Sequence, residues 1–247
     1  MSPDGRQLVS TSDMRIDSMG YTEALQACTW SPDGALIASL SRVGVVHIWD
    51  GQTLEQRDLL EDSAPAVEYL APPCLQFSPD RHYLAWASGY GCCIWRPLTG
   101  EQPKRLPSHP SRTKVCINAL SFAPDSRRIA TAHGTLRYGA VDLEECFVRI
   151  WDVATGAALA VLAGHSKRVA DISFSSDGRS LVSASDDSSA RIWDAASGEQ
   201  TASLEDGGDA ISKARFFSRR EARHHYLAGK KVETLEDGRQ VMRGSVY

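Results

Sequence analysis

Apolar residues along the chain gather in short runs separated by a recurring tight-turn phrase. It reads Ser2-Pro3-Asp4-Gly5, Ser31-Pro32-Asp33-Gly34, Ser78-Pro79-Asp80-Arg81, Ala123-Pro124-Asp125-Ser126 and Ser175-Ser176-Asp177-Gly178. Proline presets φ for the first corner of a turn, and Asp and Gly tolerate the corners that follow, so each phrase predicts a loop between strands. Before each of the last four lies a short strand pattern: Cys28-Thr29-Trp30, Leu75-Gln76-Phe77, Leu120-Ser121-Phe122 and Ile172-Ser173-Phe174. After each comes a second: Leu36-Ile37-Ala38-Ser39, Tyr83-Leu84-Ala85-Trp86, Ile129-Ala130-Thr131-Ala132 and Leu181-Val182-Ser183-Ala184. These second strands are apolar at successive positions, as expected for strands sandwiched between neighbouring sheets. A third strand then closes on tryptophan, at Trp49, Trp95, Trp151 and Trp193.

Successive tryptophans stand 46, 56 and 42 residues apart, close to the ~40–45 of a four-stranded propeller blade. With these residues in place the chain resembles the WD-repeat β-propeller family over roughly residues 1–230, most sharply over 162–198. There Gly164-His165 opens the repeat, Ser183 lies on the second strand, Asp187 in the following turn, and Trp193-Asp194 closes it. The resemblance implies that His165, Ser183, Asp187 and Trp193 form a buried hydrogen-bonded chain tying the strands of one blade together. A buried indole N–H and an imidazole both need partners, and a satisfied network rigidifies its surroundings.

The other repeats depart from this pattern. In the second, Ser39 and Trp49 match, but Val43 replaces the turn aspartate and no Gly-His pair precedes it. In the third, Ala85 and Gly89 take the Ser and Asp positions counted back from Trp95, which leaves packing to hold that blade. In the fourth, Ser108-His109 stands for Gly-His and Thr131 for Ser, and extra residues at 133–145 lengthen the connection to the third strand. The expected fold is all-β: a propeller of four-stranded blades, with four recognisable blades, two remnants and an incomplete seven-blade ring. The whole of 1–247 reads as one propeller region, divided into 1–24 (degenerate first repeat), 25–66, 67–106, 107–161 (with the insertion), 162–204 and 205–247 (degenerate and basic). In the last, 214–217 is expected as a first strand, 226–229 as a second, and 232–236 with 239–243 as a hairpin.

Composition narrows the function classes. Of 247 residues 42% are hydrophobic and 23% charged, so the chain can bury a substantial core. Its formal charge of −4 gives no overall positive field for nucleic acid or an anionic membrane. No apolar run approaches the roughly 20 residues of a spanning helix, the start lacks a secretory signal, and an intracellular location, cytoplasmic or nuclear, is expected. Six cysteines are scattered without Cys-x-x-Cys spacing and read as reduced thiols.

Ser183, His165 and Asp187 also supply the residue types of a nucleophilic triad. Ser183, however, lies inside an apolar strand rather than at an exposed elbow with an oxyanion donor, and no phosphate loop, dinucleotide glycine pattern or His-Glu-x-x-His is present. The expectation is a non-catalytic interaction scaffold without cofactor or metal. Cys92-Cys93 with His82 is set aside as a metal set because adjacent strand residues point to opposite faces. Two alternatives stay open: a WD-repeat sensor region detached from a signalling NTPase, and an RNA-associated scaffold. The second would use the basic stretch 211–231, in which Arg215, Arg219, Arg220 and Arg223 are interleaved with Phe216, Phe217 and Tyr226; the same charges would equally keep a frayed edge soluble. The expected contact for protein or peptide partners is the insertion, with Arg137 and Tyr138 as hot-spot residue types, rimmed by Arg112, Lys114, Lys167 and Arg168. A tolerated surface loop would also account for the insertion.

Overall fold

The computed structural model describes residues 2–5, 7, 25–41, 44–60, 74–88, 91–97, 99, 101–106, 115–134, 146–205, 209–217, 231–234 and 240–244. These residues carry strands and turns and no helix. They divide into two compact units, Met1–Pro110 and Ser111–Tyr247.

The first unit holds two four-stranded antiparallel sheets. One is β1 (Leu25–Trp30), β2 (Leu36–Ser41), β3 (Val46–Asp50) and β4 (Gln56–Leu60), each strand paired with the next. The other is β5 (Leu75–Phe77), β6 (Leu84–Ser88), β7 (Gly91–Trp95) and β8 (Lys104–Arg105). Ala38, Leu40, Val46 and Ile48 of one sheet pack with Phe77, Leu84, Trp86, Cys93 and Trp95 of the other.

In the second unit β9 (Cys116–Phe122), β10 (Arg128–Gly134), β11 (Phe147–Asp152) and β12 (Ala158–Ala163) form one sheet, and β13 (Val169–Phe174), β14 (Ser180–Ser185), β15 (Ser189–Asp194) and β16 (Gln200–Glu205) the next. Strand alternation explains why β14 is apolar throughout. Leu181 faces the cluster shared with Val148, Ile150 and Leu162, while Val182 and Ala184 face Ile211 and Ala214. The outer strands are much more exposed than β14: β16 alternates exposed and half-buried residues where β14 is buried along its length.

In the final sheet the expected hairpin of 232–236 with 239–243 is present as β18 (Lys231–Thr234) paired with β19 (Gln240–Gly244), and β19 also pairs with β17 (Lys213–Phe217), giving the order β17-β19-β18. The expected strand 226–229 and most of repeat 1–24 lie outside the described residues. So do 135–145 of the insertion. His133 and Gly134, expected at the head of that loop, are instead the buried last residues of β10, paired with Ile117 and Cys116.

The turn phrase has one construction. In Ser31-Pro32-Asp33-Gly34 the Ser31 hydroxyl donates to Asp33 Oδ1 at 2.6 Å and accepts from the Leu36 N–H at 2.9 Å, while the Gly34 N–H closes the turn on the Ser31 carbonyl. Gly34 sits at φ +72°, the left-handed region glycine occupies without strain. Ser2, Ser78 and Ser175 repeat the serine contacts. Arg81 and Ser126 hold the glycine conformation at φ +71° and +57°. A second device closes the third strand. In three of the four blades the carboxylate following the strand-ending tryptophan, at Asp50, Asp152 and Asp194, accepts backbone N–H groups of the turn leading to the outer strand, while Arg96 follows Trp95. For Asp50 and Asp194 these bonds hold the carboxyl below its ordinary range.

Candidate functional site

In the β13–β16 blade a polar chain crosses the sheet. The Trp193 indole donates to Ser183 Oγ at 2.8 Å, Ser183 Oγ lies 2.7 Å from His165 Nε2, and His165 Nδ1 lies 2.8 Å from Asp187 Oδ2. The bonds are mutually consistent with the imidazole proton on Nδ1: Asp187 accepts it, Nε2 accepts the serine hydroxyl, and Ser183 accepts the indole N–H. Asp187 is held further by the Ser166 N–H at 3.0 Å and the Ser189 hydroxyl at 2.6 Å. Burial raises its pKa, but the hydrogen bonds from His165 and Ser189 outweigh that and keep its carboxyl well below the usual range. Gly164 holds φ +156°, a conformation that side-chain-bearing residues rarely adopt, and a Cβ there would displace the end of Arg191, 2.5 Å away.

The set has the connectivity of a catalytic triad, but Ser183 is 0% exposed and its oxygen is shared by an indole and an imidazole. A nucleophile needs a path to substrate and a site for the oxyanion beside it. This arrangement joins the loop before β13 to β14 and β15 instead.

The other blades carry shortened versions. In β9–β12 the Trp151 N–H donates to Thr131 Oγ1 at 2.8 Å, and Thr131 lies 2.8 Å from Nε2 of His133, two residues along the same strand and stacked on Phe147. In β1–β4 the Trp49 N–H reaches Ser39 Oγ at 3.0 Å. The third blade differs from the sequence reading. Pairing of Leu84 with Trp95 and Trp86 with Cys93 puts Trp86, not Ala85, at the serine position, because the β6–β7 hairpin is one residue shorter. Trp86 is 0% exposed and its N–H has no partner among the described residues. Trp95 turns instead to the Glu101 carbonyl at 3.0 Å, so that blade is not held by packing alone.

The residues expected at the partner surface are only partly described. Arg112, Lys114, Arg137 and Tyr138, with Ser108-His109, lie outside the described residues. Lys167 is exposed in the loop before β13. Arg168 is committed to Asp186 through two contacts, at 2.8 and 3.2 Å, and a Cβ on Gly134 would lie 2.6 Å from its Cα. The start of the insertion therefore touches the loop that carries His165. Of the basic stretch, Arg219, Arg220 and Arg223 lie outside the described residues. Arg215 pairs with the buried Asp171 and donates to the carbonyls of Ile172 and Ala214, which fastens β17 to β13. Burial raises the Asp171 pKa, and Arg215 opposes that rise. All six cysteines are unbridged thiols; Cys92 and Cys93 are buried in β7, and burial pushes the Cys92 thiol up. No helix among the described residues is long and apolar enough to cross a membrane.

Comparison with known proteins agrees with the blades. A family model for the WD domain, G-beta repeat, matches residues 100–152 and 156–194. Nuclear distribution protein PAC1 of Arthroderma otae is 40% identical over 195 residues, covering 77% of this chain and 40% of its own length. Cell division cycle 20.1, cofactor of APC complex, of Arabidopsis thaliana is 27% identical over 206 residues, covering 75% of this chain and 40% of its own length. Transcription initiation factor TFIID subunit 5 of Caenorhabditis elegans is 27% identical over 187 residues, with 76% and 26% covered. The chain thus spans less than half the length of these curated relatives. Repeat spacing, four-stranded blades with strand-closing tryptophans, and these matches agree that the chain belongs to the WD-repeat family.

Proposed function

We propose that the chain is a non-catalytic scaffold that binds other proteins or peptides inside the cell. The observation that carries this reading is the similarity of its repeats to proteins named as the cofactor of one complex and a subunit of another. Stacked blades with rigid interiors present loops and outer strands as binding surface, and the polar network serves to hold that surface rather than to react.

The partner contact is assigned to the insertion after β10, with Arg137 and Tyr138 at its centre and Arg112, Lys114, Lys167 and Arg168 around it. Supporting this, Gly134 packs on Arg168, so the loop leaves the sheet beside two of its basic neighbours. The pairing of Arg168 with Asp186 reduces its share and leaves Lys167 as the stronger described member. Deletion of 135–141, which spares β10, should remove specific proteins from the set that co-purifies with the chain while its thermal unfolding stays unchanged. An unchanged set with folding intact would refute this placement.

A further inference from the structure

Arg149 and Arg191 occupy the same position in consecutive blades, each opposite the hydroxyl residue that receives the strand-closing tryptophan N–H. Arg191 is satisfied at home, with its Nη1 donating to Gln200 Oε1 at 2.9 Å and its Nε to Ser189 Oγ at 3.4 Å. In the Arg149 blade these two acceptors are replaced by Ala158 and Phe147. The consequence is an arginine without a hydrogen bond or ion pair among the described residues. Its Nε is buried and unpartnered, and its guanidinium lies 5.0 Å from the centre of the Phe147 ring and 5.2 Å from that of Trp151. Burial, with no opposing carboxylate, pulls its pKa below the ordinary value. Two aromatic faces fix the cation in place but accept none of its N–H groups in the plane where an oxyanion would bind.

The neighbouring strand completes the surface. Val161 pairs with Arg149 across β11 and β12 and so shares its face, and Leu159, two residues before Val161, is the extra residue where the ladder shifts register between Ile150 and Trp151. They are 51% and 55% exposed. The corresponding outer-strand positions are Thr201 and Ser203 in the next blade and Arg57 and Leu59 in the β1–β4 blade, so among these three blades the apolar pair stands in this one.

We propose that Arg149, Leu159 and Val161 form a docking site for an extended acidic–apolar segment of a partner protein. One carboxylate of the segment meets the Arg149 guanidinium, and two apolar side chains in alternate positions cover Leu159 and Val161, which stand two residues apart in β12. Charge complementarity selects the occupant, because an incoming carboxylate supplies what Gln200 and Ser189 supply in the sister blade. The apolar flank favours a protein segment over a nucleic-acid backbone. This inference rests on the scaffold reading, but it concerns a surface separate from the insertion.

The test selects a displayed library of random twelve-residue peptides on the full chain and on the Arg149→Gln variant. The wild-type chain should enrich an Asp or Glu beside apolar residues two positions apart, and the variant should not. A synthetic copy of an enriched peptide should bind at least tenfold more weakly when its acid is replaced by the amide, and Val161→Ser should weaken both forms alike. Arg149→Gln gives up two ring contacts but breaks no hydrogen bond or ion pair among the described residues, so its melting temperature should fall by only a few degrees at most, by order of magnitude, and its folded circular-dichroism spectrum should be unchanged, which separates lost binding from lost folding. Enriched peptides without an acid, or acidic peptides that bind Arg149→Gln undiminished, would overturn the site. The scaffold reading would then still stand or fall on the 135–141 deletion.

Discussion

Replacing Ser183 with alanine removes one oxygen from the centre of the β13–β16 blade and strands two groups, the Trp193 N–H and His165 Nε2, in a region without solvent. A buried polar group left without a partner costs about 1–3 kcal/mol, so the expected loss is about 2–4 kcal/mol. Ser39→Ala in the β1–β4 blade supplies the internal comparison. Ser39 serves the Trp49 N–H, and Trp49 is only half-buried, so water can replace the hydroxyl and the loss should be about 1 kcal/mol. A double-mutant cycle sharpens the point. In Ser183→Ala with Trp193→Phe the indole N–H is no longer present to be stranded, so the double variant should be less destabilised than the sum of the singles by about 1–2 kcal/mol. Urea denaturation followed by far-UV circular dichroism gives each value, fitted to the transition of the unit spanning Ser111–Tyr247 for the Ser183 and Trp193 variants and to that of the unit spanning Met1–Pro110 for Ser39→Ala. Additivity within about 0.5 kcal/mol, or equal losses for Ser183→Ala and Ser39→Ala, would mean that the polar chain is not an energetic unit.

Three further outcomes are expected. Asp187 has a folded pKa depressed below its unfolded value near 3.8, so its contribution is present above about pH 4 and lost as pH falls further; Asp187→Asn should flatten that part of the acid-unfolding profile, and an unchanged profile would refute the role assigned to its hydrogen bonds. Leu54 holds φ +59° where the equivalent turns place Gly156 and Gly198, and it is 60% exposed, so Leu54→Gly should stabilise the unit spanning Met1–Pro110 by about 0.5–1 kcal/mol in urea titration; a loss of stability would mean that the leucine packs. Native-state alkylation read by mass spectrometry should label Cys28 and Cys116 before Cys74, Cys92, Cys93 and Cys146, the last four reacting only on unfolding, and early labelling of Cys92 would contradict its burial.

Strand order in four blades was legible because two local signals, the Ser-Pro-Asp-Gly phrase and the closing tryptophan, each follow from short-range chemistry. The hydrogen-bonding residues of the β13–β16 blade were named through the family resemblance that these two signals carry, not from local chemistry alone. Counting back from tryptophan failed in the third blade, where a hairpin shorter by one residue moves Trp86 into the serine register. His133 was hidden differently: its loop-like position gave no sign that β10 runs on through Gly134, and a histidine two residues along a strand from its hydroxyl partner follows no repeat spacing. The pairing of β17 with β19 joins segments about 27 residues apart, a choice made by tertiary packing rather than by local pattern. Arg149 illustrates the limit most plainly. Its isolation depends on what stands at Phe147 and Ala158, and those positions become its neighbours only once the register of β11 and β12 is known.

The uneven repair of tryptophan N–H groups from blade to blade bears on how the molecule comes apart. Where the indole is tied through serine, histidine and aspartate, opening the β13–β16 blade must break a connected series of bonds at once, and its amide protons should be the last to exchange with solvent. Around Trp86 the indole N–H has no partner among the described residues, the single bond from Trp95 to the Glu101 carbonyl is not extended into a chain, and the short strands β5 and β8 hold that sheet by few ladder bonds. Fraying therefore begins in the β5–β8 blade, which makes it the first place at which a protease or a chaperone would find extended chain.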